Sequence, residues 1–154
     1  MLSVKETTLT RLKILIDTTF LLPALGIEVE EEVIEAIRLF RKFQIYYLEV
    51  GVLEAMWCIL KVVPQEKMNM VDVGLKAIRS TYQLVSPPIE AYIKAVAIFR
   101  EGHRDYIDAL YYASAEALNL MWLTIDYKFI DFLKEHGYKL DGIVITPEDL
   151  KYYG

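Results

Sequence analysis

Two apolar runs that each close on an aspartate constrain this chain more than any other feature. "KILID" spans 13–17 and "LMWLTID" spans 120–126. Neither alternates apolar with polar residues, as a half-exposed strand would. Strands buried on both faces read this way, and they belong to parallel sheets covered by helices. A carboxylate at the end of such a strand is costly unless something positive or hydrogen-bonding meets it.

The stretches between these runs carry helical spacing. Val33, Ile34, Ile37 and Phe40 recur at helical intervals within 30–43. Three acids, Glu30 to Glu32, crowd the start of that segment, and Arg41 and Lys42 its end, as the helix dipole favours. "QIYYLEV" at 44–50 is β-branched and aromatic and reads as a second strand. The spacing predicts helices over 50–63, ended by Pro64, over 66–82, and from the break "SPP" at 86–88 through Phe99. A short helix or turn fills 21–25. "REGHRD" is a polar connector. A helix follows over 105–118, the third strand over 120–126, and a helix over 127–136 closed by Gly137. "GIVITPEDL" reads as a fourth strand and a turn into the tail. Residues 1–11 read as a loosely attached lead-in. The expected fold is α/β, a parallel sheet with helices on both faces, in one domain over 1–154.

Hydrophobic residues make up 55% of the 154, above the usual range of about 45–50%. Disorder is excluded, and the surplus suggests an interface such as a homodimer, with the 66–99 helices as a candidate surface. No apolar run approaches the ~18 residues of a membrane span. A lone cysteine, Cys58 in "AMWCIL", and the absence of a signal peptide point to a reducing cytoplasm. Cys58 reads as a buried thiol. The net charge of −5 argues mildly against simple nucleic-acid binding.

In open parallel sheets, ligands bind beyond the carboxyl ends of the strands. Asp17 and Asp126 stand at such ends. Glu54 lies one turn into the helix after strand two, and Asp108 one turn into the helix before strand three. All-oxygen carboxylate clusters suit hard cations such as Mg²⁺ and Mn²⁺. No histidine stands near except His103, which makes zinc improbable. Pairs of carboxylate-bound Mg²⁺ ions are a recurring device for phosphodiester cleavage. Each acid also has an ordinary role. Asp17 can form an Asx turn, Glu54 can sit exposed on its helix, and Asp105 and Asp126 can cap theirs.

The order of these acids, with "ILIDTTFLL", "VLEAMW", "DYIDALYYASA", "LTIDYKF" and "VITPEDL", resembles the PIN domain, and within it the toxin half of VapBC-type toxin–antitoxin pairs. The resemblance spans about 13–150. It implies metal binding by Asp17, Glu54, Asp108 and Asp126, with Thr124 orienting the last acid or the metal's water. Thr18 matches a hydroxyl residue after the first acid, and Asp105 can assist or replace Asp108. The implied reaction is metal-dependent hydrolysis of RNA, leaving a 5′ phosphate, without attack by the 2′-hydroxyl. A protein antitoxin is the implied partner, and no membrane is involved. Two divalent ions would bring the formal charge of −5 to about −1. Arg100 and Arg104 are the preferred phosphate contacts, ahead of Arg38, Arg41, Lys42, Arg79 and Lys94. A silent PIN-like RNA-binding or assembly module is the alternative. A phosphatase of the haloacid dehalogenase type would need an acid where Thr19 stands.

Overall fold

The computed structural model describes residues 11–153. Five strands form one sheet: β1 (Lys13–Ile16), β2 (Gln44–Leu48), β3 (Gln83–Val85), β4 (Met121–Leu123) and β5 (Val144–Ile145). Their spatial order is β3-β2-β1-β4-β5, and every neighbouring pair is parallel. The described α-helices are α1 (Glu31–Arg38), α2 (Glu49–Val62), α3 (Met68–Thr81), α4 (Ile89–Arg100), α5 (Tyr106–Leu118), α6 (Tyr127–Glu135) and α7 (Pro147–Tyr153).

The unalternating strands are explained by two cores. Ile14, Leu15 and Ile16 are all fully buried. Ile14 and Ile16 point into one core, with Val33, Ala55, Ile59, Val71, Ile78 and Leu150 from α1, α2, α3 and α7. Leu15 points into the other, with Ala95, Ile98, Tyr112, Phe129 and Leu133 from α4, α5 and α6. Since side chains alternate across a strand, both faces of β1 must be covered. The result is the α/β/α sandwich expected from the sequence.

The chain runs from β1 to β2 to β3 on one side, then returns to β4 and β5 on the other. The crevice between the carboxyl ends of β1 and β4 is therefore the switch point where such sheets bind ligands.

Several local expectations need correction. Strand two ends at Leu48, and Glu49 is already the first residue of α2. The segment over 30–43 is α1 followed by a separate 3-10 turn, Phe40–Lys42. A short strand, β3, follows α3. Gln83 and Leu84 are exposed at the sheet edge, so they lack the apolar pattern that marks a strand. The tail is helix α7 rather than a turn. Thr146 and Asp149 cap it reciprocally, with backbone-to-side-chain bonds of 3.0 and 3.4 Å, and Pro147 stands at its first position. The lead-in, except Arg11, lies outside the described residues. Among the described residues no helix is long and apolar enough to cross a membrane.

Candidate active site

β1 delivers Asp17 to the switch point. The Asp17 amide donates to the Leu123 carbonyl at 3.3 Å, which ties the end of β1 to the end of β4. Thr124 then locks the two segments together. Its fully buried hydroxyl donates to Asp17 Oδ2 at 2.8 Å and accepts from the Asp126 amide at 3.1 Å. Asp126 in turn caps α6, its Oδ1 accepting from the Phe129 amide at 3.1 Å.

A second relay holds Glu54. Thr18 Oγ1 donates to Glu54 Oε1 at 2.6 Å and lies 3.0 Å from the Tyr111 phenol. A hydroxyl has one proton. Thr18 gives its proton to Glu54, so Tyr111 is the donor to Thr18. Burial raises Tyr111 well above its usual range, which keeps that proton in place. The phenol occupies the space where a side chain on α2 would otherwise begin. A Cβ on Gly51 would stand 2.3 Å from it.

The third segment is the start of α5. Asp105 caps it, accepting from the amides of Ile107 at 3.0 Å and Asp108 at 3.2 Å. Asp108 then faces inward, with His103 Nε2 3.4 Å from its Oδ2. The His103 ring stacks on Phe129 at 4.0 Å. Burial lowers the pKa of His103, against the pull of Asp105 and Asp126.

Asp17, Thr18, Glu54, Asp105, Asp108 and Asp126 line one cleft of about 410 Å³, together with Thr19, Leu22, Trp57, Cys58, Lys61 and Ile125. Concentrating carboxylates in a partly buried cleft has a measurable consequence. Burial pushes Asp17 up to about 7; the Thr124 hydrogen bond opposes this, and the charges of Glu54 and Asp126 add to it. Glu54 is raised by burial, against its bond from Thr18. Asp108 lies far above the ordinary carboxylate range, by burial first and then by the Asp126 carboxyl and the charge of Asp17. The lining donors are all-oxygen and suit Mg²⁺ or Mn²⁺. A divalent cation would offset both the burial and the repulsion of these carboxylates. Yet among the described residues no three Asp, Glu, His or Cys side chains converge into a ready-made cage. Mutual repulsion gives carboxylates no reason to converge on their own.

Thr124→Val is expected to remove the bond that steadies Asp17 and orphan the Asp126 amide. Metal affinity should fall about 10–100-fold, the scale for losing a group that orients a ligand. Calorimetric titration with Mn²⁺ measures it, and an unchanged affinity would remove Thr124 from the site.

The structure brings together every acid singled out in the sequence, with Thr18 lining the cleft and Thr124 beneath it. It does not bring the arginines. Arg100 and Arg104 are exposed and do not line the cleft, because nearness to Asp108 along the chain is not nearness in space. Arg79 is paired with Glu49 at 2.8 Å, and Lys94 with Glu116, so neither stands free for phosphate. Cys58 is half-buried on the cleft wall rather than in the core. Lys61 and Trp57 are site residues that the sequence reading misses. Their signal is present in the sequence, since 54, 57, 58 and 61 fall at helical intervals on one face.

The chain is similar to several solved structures across nearly its whole length. A Pyrobaculum aerophilum protein, PAE2754, shares 20% identity with a TM-score of 0.61, covering 92% of this chain and 94% of that one. A toxin–antitoxin complex from Klebsiella pneumoniae shares 20%, with a TM-score of 0.60 over 87% of this chain and 97% of that one. VapBC2 from Rickettsia felis, bound to a DNA fragment from its promoter, shares 13%, with a TM-score of 0.61 over 88% and 98%. These likenesses concern the fold. No curated protein matches the chain. The PIN domain family model, however, matches residues 14–134, from β1 into the last turn of α6 and so across every acid of the cleft. The chain belongs to the PIN domain family, a family of nucleases.

Proposed function

We propose that this protein is a divalent-metal-dependent endoribonuclease and the toxin of a toxin–antitoxin pair. One observation carries the reading. Acids just past β1, on α2, at the start of α5 and at the cap of α6 meet in a single cleft at the switch point, where burial pushes Asp17 up to about 7. Asp17, Glu54, Asp108 and Asp126 are the residues that would hold Mg²⁺ or Mn²⁺. A bound divalent ion would supply positive charge, making water a stronger nucleophile source and steadying the leaving oxygen of the phosphodiester.

The chain's own residues prepare that site. Thr124 fixes the direction of Asp17 and the backbone of Asp126. Tyr111 and Thr18 fix Glu54. The caps of α5 and α6 anchor the backbones that carry Asp108 and Asp126. Holding acceptors in place before substrate arrives lowers the reorganisation needed during reaction.

A protein antitoxin is the proposed partner, supported by toxin–antitoxin complexes among the structural relatives. A homodimer is supported by apolar residues left exposed on α4, Ile89 at 81% and Ile93 at 67%. A reducing cytoplasm fits the single cysteine.

A second reading is a catalytically silent RNA-binding or assembly module. All four acids stand in the cleft, which counts against it. Labelled single-stranded RNA separates the two. Cleavage with Mg²⁺ or Mn²⁺ that stops in EDTA and leaves 5′-phosphate ends is the expected result. RNA that binds but stays intact with every divalent ion would select the silent module.

A further inference from the structure

Glu54, Trp57, Cys58 and Lys61 share one face of α2, and all four line the acidic cleft. Trp57 is 52% exposed there. Lys61 is exposed and forms no salt bridge with the described residues. The other charged side chains lining the cleft are Asp17, Glu54, Asp105, Asp108 and Asp126. A phosphodiester strand drawn toward those acids carries charge of the same sign. A divalent ion would offset the acids themselves; a cation on the wall adds a contact for the flanking phosphate, and Lys61 is the lining residue that supplies one. Next to it, Trp57 offers a flat aromatic face.

We infer that Trp57 and Lys61 form a nucleotide subsite flanking the scissile phosphate. The inference rests on the nuclease reading above and specifies its substrate. The indole stacks on an unpaired base, and the ammonium group contacts a neighbouring phosphate. Every base has a stacking face, so the subsite holds the strand without choosing its sequence. It does choose single strands. Bases in a duplex are already stacked on one another and are not free to lie on an indole. Leu53 and Leu60, 50% and 80% exposed on the same helix, would suit a protein covering this ridge instead. The unpaired lysine and its place on the cleft wall favour the nucleotide.

The two tryptophans make the test direct. Trp122 is fully buried, so fluorescence quenching by a stacking base reads Trp57. The full chain is titrated with a single-stranded RNA hexamer in EDTA and again in Ca²⁺, with anisotropy of a labelled strand as the independent measure of binding. Saturable quenching is expected, absent for the same sequence as a duplex and lost in Trp57→Phe. Trp57→Ala should weaken binding on the order of tenfold, within the range for one stacked base. Lys61→Ala should weaken it too and lower the salt slope by about 0.7, one phosphate contact on a single strand, whereas Lys61→Arg should retain both. RNA that binds by anisotropy without quenching overturns the subsite and leaves the nuclease reading standing. Equal quenching by duplex overturns the single-strand choice. Unchanged RNA affinity in Trp57→Ala with an altered mass by light scattering assigns the ridge to a second copy of the chain. No binding under either condition also overturns the subsite, and metal-dependent cleavage, measured separately, then shows whether the nuclease reading survives.

Discussion

Replacing Asp17 by Asn is expected to lower RNA cleavage on the order of 10²–10³-fold, the scale for removing one preorganised electrostatic contributor, while making the metal-free protein more stable at neutral pH. The two effects have one origin. Asp17 is buried where its charge is useful only when a cation is present. Its carboxyl is pushed from 3.8 to about 7. A group held above its unfolded value binds its proton more tightly in the folded state. Its stabilising effect is therefore complete below 3.8 and is lost as pH rises to about 7. Above that, the ionised acid destabilises the fold by a few kcal/mol, since each pH unit corresponds to about 1.4 kcal/mol. An amide at this position carries no charge, and its oxygen can still accept from Thr124. Thermal melts in EDTA at pH 4 and pH 8 check the sign. The variant should match wild type at the lower pH and exceed it at the higher. An Asp17→Asn protein that cleaves normally, or that gains nothing at pH 8, would contradict this account of the site.

The second large effect is the reverse of the first. Mn²⁺ at about 100 times its dissociation constant should stabilise the protein by about 2.7 kcal/mol. For a chain of this size that raises the melting temperature by roughly 5–10 °C. The gain should be larger at pH 8 than at pH 5, because carboxyl groups must lose their protons before they coordinate. Asp17 and Asp108, both raised by burial, make that dependence steep. Differential scanning calorimetry with and without Mn²⁺ measures the shift. An equal shift in the variant combining Asp17→Asn with Asp108→Asn would mean that the metal acts elsewhere.

The sequence by itself determined the layers. An apolar run without alternation requires cover on both faces, and Ile14, Leu15 and Ile16 have it. It also determined the acids, because a carboxylate at the end of a buried strand needs a reason. Asp105 and Asp126 were legible as caps, and the structure shows them capping while also lining the cleft. The run of Thr146, Pro147 and Asp149 carries a helix-start signal as well, one that the expectation of a turn overlooks.

Only the tertiary structure decided the neighbours. Periodicity records which side of an element is buried, and carries no record of what lies beside it. The strand order sets β1 against β4, so that Thr124 bonds to Asp17 across 107 residues. The same blindness applies to the arginines. Arg100 and Arg104 sit near Asp108 along the chain and still miss the cleft, whereas Lys61 reaches it from α2. Strand β3 escaped for a different reason. An edge strand with Gln83 and Leu84 exposed buries too little to be patterned. Its place is set by the ladder bonds of β2, a partner the local sequence cannot name. Local burial is written in the residues themselves, but the meeting of distant charges depends on how helices cross between strands, and that is settled by packing.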